Sequence, residues 1–134
     1  MTDTATRTAV SIVKDGYQAF GRADIPAFLA LLDPQVAWTE AAGSAYAGTF
    51  VGHDALVQGV FMRLGEEWET FLPKPVEFFD CGETVIAIGS FEGIHRSTGK
   101  SMTSRFVHLF RLRGEKIVEF ESINDTHEVR AAMT

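Results

Sequence analysis

Two residues of the sequence, Glu40 and His108, have side chains suited to proton transfer and lie on faces that are mostly apolar. Glu40 ends a predicted strand over residues 35–40, where Val36 and Trp38 share its face because side chains alternate along a strand. A carboxyl group in the wall of an apolar pocket has a raised pKa, since burial disfavours its charged form, and it can then exchange protons near neutral pH. The alternative is a solvated or ion-paired acid at the end of a strand.

His108 lies on a predicted strand face that it shares with Phe106 and Phe110. The ordinary pKa of an imidazole is about 6.5, which makes histidine a natural proton-transfer partner for a buried carboxyl group. If the side chains of Glu40 and His108 come within hydrogen-bond reach, we expect their titrations to be coupled. The alternative is a core histidine whose hydrogen bonds are satisfied.

The composition indicates a globular chain with an acidic surface. The 134 residues carry a formal net charge of −6, which disfavours binding to nucleic acid or to an anionic membrane. The sequence has no apolar run of about 18 residues and no signal-peptide pattern at its start. The single cysteine, Cys81, excludes an internal disulfide and is typical of a reducing compartment. We therefore expect a cytoplasmic protein with no nucleic-acid or membrane partner.

The sequence contains no recognisable motif for a phosphate, a dinucleotide or a catalytic nucleophile. Its histidines and carboxylates also lack the spacing that metal ligands require. We therefore expect neither a metal site nor a cofactor.

The first half of the chain is predicted to be mainly helical. An apolar stripe predicts a helix over residues 6–22, and Asp24 is the expected N-cap of a short second helix. A loop over residues 41–52 follows the first strand. The third helix is expected to begin at His53 or Asp54 and to carry a further turn with Trp68 and Phe71, which Pro73 and Pro75 would end.

Four more strands are predicted in the second half, over residues 76–81 and 85–94 and in a long hairpin over residues 101–125 that turns at Gly114. Residues from His127 onward are expected to form a C-terminal tail. This order predicts an α+β fold, with one domain spanning residues 1–134. Three N-terminal helices would cover one face of a strongly curved antiparallel sheet and enclose a conical pocket.

Three stretches resemble the ketosteroid isomerase and SnoaL-like polyketide cyclase group of the nuclear transport factor 2-like superfamily. They are GRADIPAFLALLDPQVAWTE, GTFVGHDAL and HLFRLRGEKIVEF, and the resemblance covers roughly residues 6–127. It implies a cystatin-like fold that serves enzymes and non-enzymes alike.

The resemblance also implies roles for individual residues. Glu40 falls on the position of the general base of ketosteroid isomerase, and His108 falls on the position of its protonated oxyanion-hole acid. The tyrosine of that oxyanion hole lines up with Gly16. Asp125 resembles a functional aspartate of the SnoaL-like cyclases and of limonene epoxide hydrolases, although strict alternation points Asn124 into the pocket instead.

Two functions follow from these observations. One is a cofactor-free enzyme of isomerase, cyclase or hydrolase type that acts on a small, largely apolar molecule, with Glu40, His108 and Asp125 as catalytic candidates. The other is a non-catalytic ligand-binding or dimerisation module with the same pocket. The expected ligand contacts are Trp38, Tyr46, Phe61, Trp68, Phe106, Phe110, Phe120, Ser122 and Asn124.

The outer face of the predicted hairpin is expected to form a homodimer interface. It would carry four branched aliphatic residues flanked by arginines and glutamates: Val107, Leu109, Ile117, Ile123, Arg105, Arg111, Glu119 and Glu121. An apolar patch with a charged rim is typical of a contact surface. The opposite charges could pair between two copies or across strands within one copy.

Overall fold

The computed structural model describes residues 7–134, and its first helix, α1, spans Ala9–Gly21. The side chain of Thr8 caps α1 by accepting a hydrogen bond from the backbone N–H of Ser11, which satisfies one of the free donors of the first turn. The predicted start at residue 6 lies outside the described residues. Helix α2 spans Ile25–Leu29, and Asp24 is its N-cap as predicted, accepting from the N–H of Ala27.

The third helical segment contains a change of helix type. It consists of α3, His53–Leu56, a π-helical turn, Val57–Phe61, and α4, Met62–Glu67. A π-helical turn inserts an extra residue into a helix and is frequent at functional sites. Gly59 permits close packing here, because a Cβ at this position would lie 2.3 Å from the ring of Phe50.

The sheet has six strands in the order β2-β1-β6-β5-β4-β3. Neighbouring strands are antiparallel except β1 and β6, which are parallel. The strands span Leu32–Glu40 (β1), Gly48–Val51 (β2), Trp68–Cys81 (β3), Thr84–His95 (β4), Ser101–Arg113 (β5) and Lys116–Asn124 (β6). The predicted α+β class with a curved sheet is confirmed.

Strand β3 corrects the prediction of a final helical turn through Trp68 and Phe71. These residues begin a strand of 14 residues, which also contains Pro73 and Pro75. Proline lacks the N–H that an inner strand needs, but β3 is at the edge of the sheet and has a neighbour on one side only. The register of β3 also shifts between Pro75 and Glu77, where a bulge relieves the pairing.

Two further elements were not predicted. Residues 48–51, expected to be loop, form β2, which pairs with the end of β1. The expected C-terminal tail contains the helix α5, Thr126–Ala132, whose N-cap is Asp125. Val129 and Ala132 of this helix are buried against the sheet next to Trp68 and Met102.

A bulge in β6 corrects the predicted facing of Ile117. Arg111 pairs with Glu119 and Leu112 with Ile117, so Val118 is an extra residue on β6. The extra residue reverses the alternation, and Ile117 turns inward and is fully buried.

The core lies between the inner face of the sheet and the helices. It is built from side chains of α1, α2, the third helical segment and strands β1, β4, β5 and β6, including Ile12, Val13, Phe28, Leu32, Val36, Leu56, Val60, Val85, Phe110 and Phe120. Burial of each such side chain stabilises the fold by about 1.5–3 kcal/mol. Within residues 7–134, no helix has the length and apolar character needed to cross a membrane.

Candidate functional site

A cavity lies within this core, between helix α1, the third helical segment and the inner face of the sheet. The volume open to the centres of water molecules is about 70 Å³. This space holds about five waters, roughly the bulk of a benzene-sized molecule. Most of the lining is apolar, and its polar groups come from the residues Tyr17, Glu40, Ser44, Tyr46, His108 and Asn124.

His108 projects from β5 into this cavity and is surrounded by aromatic rings. Its ring stacks on Phe106 at a centroid distance of 3.7 Å and lies edge-on to Phe120 at 4.9 Å. The Nδ1 atom lies 2.6 Å from the hydroxyl oxygen of Tyr17. The Nε2 atom is buried and has no hydrogen-bond partner within residues 7–134. A buried polar atom without a partner is costly, which makes this nitrogen a candidate for ligand contact.

The environment keeps the imidazole of His108 neutral. Burial lowers its pKa from 6.5 to about 3, because the surroundings cannot solvate an imidazolium. Burial also raises the pKa of Tyr17, so its hydroxyl stays protonated. The hydroxyl has no other acceptor in the described part of the chain, so it donates to Nδ1. We therefore assign the imidazole proton to Nε2, where the N–H is buried and has no partner within residues 7–134.

Glu40 ends β1 at another part of the cavity wall. The indole Nε1 of Trp38, two residues earlier on the same face, donates to its Oε2 at 2.7 Å. Burial raises the pKa of Glu40, and the hydrogen bond from Trp38 opposes this rise to a smaller extent. The second oxygen, Oε1, accepts no hydrogen bond from residues 7–134. Glu40 therefore has one oxygen held in place and one available to a ligand.

The structure gives Glu40 and His108 different hydrogen-bond partners. Glu40 bonds to Trp38, and His108 bonds to Tyr17. The condition for coupled titration, a hydrogen bond between the two side chains, is not met within residues 7–134. The two groups therefore act on the cavity separately.

Tyr46 lines the cavity from the loop between β1 and β2. Its hydroxyl donates to Glu67 at 2.5 Å and accepts from Nε1 of Trp68 at 2.9 Å. Burial, followed by the bond to Glu67, raises the pKa of Tyr46. Arg63 covers the other side, with its guanidinium 4.6 Å from the ring centroid. Tyr46 is thus fixed from three sides, and Trp68 supports it from behind instead of lining the cavity.

Asn124 lines the cavity at the end of β6 and is oriented by two serines. Ser122 donates to its Oδ1 at 3.1 Å, and its Nδ2 donates to Ser104 at 3.3 Å. Asp125 is exposed and faces the next element, where its carboxylate accepts from the N–H of Glu128 as the cap of α5. The cap geometry accounts for Asp125 without a role in the cavity.

The structure brings most of the candidate residues together. Those in the cavity wall are Trp38, Glu40, Tyr46, Phe61, His108, Phe110, Phe120 and Asn124. Trp68, Phe106 and Ser122 are buried directly behind them, and Asp125 is outside. The alignment with ketosteroid isomerase places the oxyanion tyrosine at Gly16, but the adjacent Tyr17 provides the hydroxyl at His108. Tyr17 was not among the candidates, although it is the only hydroxyl on the apolar stripe of α1.

The chain is similar to a known family and to solved structures. The model of the SnoaL-like domain matches residues 13–120. No match was found among curated proteins. A nuclear transport factor 2-like protein from Burkholderia thailandensis is 44% identical, with a TM-score of 0.91 over 96% of this chain and 98% of that one.

Two further structures share the fold. A nuclear transport factor 2-like protein from Burkholderia pseudomallei is 31% identical, with a TM-score of 0.87 over 94% of this chain and 97% of that one. TerC, crystallised with polyporic acid, is 24% identical, with a TM-score of 0.85 over 93% of this chain and 97% of that one. The chain belongs to the SnoaL-like domain family, within the nuclear transport factor 2-like superfamily.

Proposed function

We propose that the protein is a cofactor-free acid-base catalyst that acts on a small, uncharged, largely apolar carbonyl compound. The observation that carries this proposal is the buried, unpartnered Nε2 of His108, a residue that lines an apolar cavity. A carbonyl oxygen is a suitable acceptor for this N–H. The aromatic walls favour a flat apolar body around that oxygen.

In the proposed reaction, Glu40 is the base. Its free carboxylate oxygen removes a proton from the carbon next to the carbonyl, and the electron pair of the broken C–H bond moves onto the carbonyl oxygen. The N–H of His108 stabilises the resulting enolate, as an oxyanion hole does. Where a C=C bond is conjugated with the enolate, return of the proton from Glu40 to the far carbon of that bond gives isomerisation. Attack of the enolate on a second carbonyl of the same molecule forms the new C–C bond of a cyclisation, and Glu40 then returns its proton to the resulting alkoxide.

The neutral state of His108 suits this role better than a charged state would. An imidazolium in these apolar surroundings would require a counter-ion, whereas a neutral N–H donor requires none. Tyr17 holds the proton on Nε2 by donating to Nδ1. Tyr17 is therefore a positioning residue, and its partner His108 is the residue that contacts the substrate. TerC, a relative of the same fold crystallised with polyporic acid, supports the choice of a flat carbonyl compound.

The experiment measures exchange of the acidic C–H protons of 2-tetralone in D₂O by NMR. We expect the wild-type protein to accelerate exchange over buffer, and we expect Glu40→Gln to lose at least about a hundred-fold of that acceleration, the usual contribution of a general base. Asp125→Asn is the matched control, because Asp125 is an exposed cap residue. If the wild-type protein binds 2-tetralone but does not accelerate exchange of its protons, the proposed catalysis is wrong and the protein is a binding module.

We also propose that the outer face of the sheet joins two copies of the chain. Ile88, Val107 and Ile123 are cross-strand neighbours there, and Leu109 pairs with Ile86 in the adjacent row. Ile123 is 56% exposed, so this row is not covered within one copy. Such a face, open on one side of the sheet, favours a partner of similar shape.

Charge on the same face favours a second copy as that partner. Arg111 pairs with Glu119 at 3.1 Å within the chain. Arg105 and Glu121 have no ion-pair partner among residues 7–134. Because a two-fold axis brings the same face of both copies together, each Arg105 can meet the Glu121 of the other copy.

A further inference from the structure

An apolar groove lies against part of the cavity wall, on its outer side. It runs between the end of α1, the third helical segment and the start of β3. The volume open to the centres of water molecules is about 450 Å³ in the groove and about 70 Å³ in the cavity. The groove is therefore large enough to hold part of a ligand that the cavity cannot enclose.

Only a layer of side chains separates the groove from the cavity. Four residues line both spaces: Phe20, Phe61, Leu64 and Phe71. All four are half-buried, so they are partly exposed to the groove. By contrast, the cavity residues near α5, Ser44, Tyr46 and Val129, are 8%, 3% and 3% exposed. The cavity is thus less completely covered on the side of the groove than beside α5.

The packing of this layer allows its side chains to move apart. Phe20 and Phe61 pack edge to face at a centroid distance of 5.3 Å, and Phe71 packs against Phe91 at a centroid distance of 4.9 Å. The side chains of the four residues are apolar, so no side-chain hydrogen bond holds them together. The four side chains are only half-buried, so they can change rotamer without breaking a hydrogen bond.

We propose that the groove is the outer half of the binding site and the entrance to the cavity. This inference rests on the proposed function and specifies its substrate class. The substrate is an elongated molecule whose carbonyl end lies at His108 and whose uncharged apolar tail passes between the four shared side chains into the groove. The cavity alone has room for about one ring, so a longer molecule extends beyond it into the groove.

Two glycines of the groove provide the test. Gly65 in α4 and Gly21 in α1 line the groove but not the cavity, and a Cβ added at either would meet no atom within 4 Å. Gly65→Leu therefore fills the groove without disturbing the packing of the cavity. Gly21→Leu is a second, independent obstruction. The matched control is Ala55→Leu, at an exposed helical position that lines neither space.

The probes are acetophenone and hexanophenone, which share one aromatic ketone and differ by the length of an apolar tail. Affinities are measured by calorimetry. Each methylene group buried from water contributes about four-fold in affinity, so hexanophenone should bind the wild type at least about ten-fold more tightly than acetophenone. Gly65→Leu and Gly21→Leu should remove most of this difference by weakening the binding of hexanophenone. Ala55→Leu should preserve it.

The possible outcomes distinguish a failure of the groove proposal from a failure of the proposed function. The proposed role of the groove would be wrong if the wild type bound both ketones with equal affinity. It would also be wrong if hexanophenone kept its higher affinity in both glycine variants. Neither result would contradict the proposed function. An acetophenone affinity that His108→Leu does not lower would overturn the proposed contact at His108 and leave the groove untouched. Failure of the wild type to bind either ketone would overturn both.

Discussion

The hydroxyl oxygen of Tyr17 lies 2.6 Å from Nδ1 of His108, and this hydrogen bond joins helix α1 to strand β5 across 91 positions of the chain. It determines which ring nitrogen of His108 carries the proton. Because Tyr17 donates to Nδ1, the free donor is Nε2, the atom without a partner in the described part of the chain. The chemistry of the cavity therefore depends on a residue that does not itself have to contact the substrate.

Tyr17→Phe tests this relationship. We expect the variant to shift His108 from one tautomer to a mixture, because Nδ1 loses its donor. Long-range ¹H–¹⁵N NMR correlations report the protonation of each ring nitrogen. The wild type should show a protonated Nε2, and Tyr17→Phe should show averaged nitrogen shifts. Loss of the buried hydrogen bond should also reduce stability by about 1–3 kcal/mol.

The control for Tyr17→Phe is the signal of exposed His127, which should be the same in both proteins. The rate of proton exchange in 2-tetralone shows whether Tyr17 positions His108 for catalysis or only stabilises the fold. If Tyr17 only stabilises the fold, catalysis per folded molecule should be unchanged in Tyr17→Phe. A wild-type His108 that is protonated on Nδ1 would contradict the assignment.

His108 should make the protein less stable in acid. Burial lowers its folded-state pKa from 6.5 to about 3. Between these values the unfolded chain binds a proton that the folded chain does not, so stability falls as the pH decreases from 6.5, by up to about 1.4 kcal/mol per pH unit. His108→Phe should remove this dependence, because phenylalanine does not titrate.

The measurement compares unfolding free energies in urea at pH 7 and pH 5. The difference between the two pH values should be smaller for His108→Phe than for the wild type. His127→Ala, at an exposed histidine, controls for the loss of a histidine elsewhere. Equal pH dependence of the wild type and His108→Phe would mean that His108 titrates similarly in the folded and unfolded chains.

The parts of the site that the sequence could predict follow from strand alternation. His108, Phe110 and Phe120 share one face because the period of two holds through most of the hairpin. The same rule placed Ile117 on the outer face and was wrong there, because the extra residue Val118 reverses the phase. A bulge depends on the pairing of two strands, so one strand's pattern cannot reveal it.

Other features depended on tertiary position. Proline normally ends a helix and is excluded from central strands. Pro73 and Pro75 can lie in β3 because β3 is an edge strand. The apolar stripe of α1 is equally consistent with Tyr17 as an ordinary core residue and as a functional one. Only the packing of α1 against β5 shows that its hydroxyl reaches His108.

The hydrogen bond from Trp38 should control the pH at which Glu40 becomes an active base. Burial raises the pKa of Glu40, and the indole N–H opposes this rise by stabilising the carboxylate. The exchange rate of 2-tetralone should therefore increase with pH through a midpoint above 4.5, the ordinary pKa of this group. In Trp38→Phe, which lacks the donor, the midpoint should move to higher pH.

Phe28→Leu is the control for Trp38→Phe, because Phe28 lines the same cavity and makes no hydrogen bond to Glu40. Its midpoint should match that of the wild type even if its maximal rate is lower. A midpoint that stays constant or decreases in Trp38→Phe would show that the indole does not stabilise the carboxylate. Neutral His108 should add no second step near pH 6.5.

Leu109→Glu should dissociate the proposed dimer. Leu109 lies on the outer face between the rows formed by Val107 and Arg111, where its cross-strand neighbour is Glu121. A glutamate there would place two carboxylates opposite each other within the chain and would desolvate them against the second copy. A stable interface of this kind buries about 1,200–2,000 Å² in total, so the wild type should sediment as a dimer at micromolar concentration.

Thr103→Glu is the matched control for Leu109→Glu, because Thr103 is an exposed position of the same strand, away from the aliphatic row. It adds the same charge and should leave the dimer intact. The charge pair is tested separately by Arg105→Glu with Glu121→Arg. Each single change should weaken the dimer, and the double change should restore it, because the two charges then meet with exchanged signs. A wild type that sediments as a monomer would rule out the interface, and a dimer unaffected by Leu109→Glu would place it on another surface.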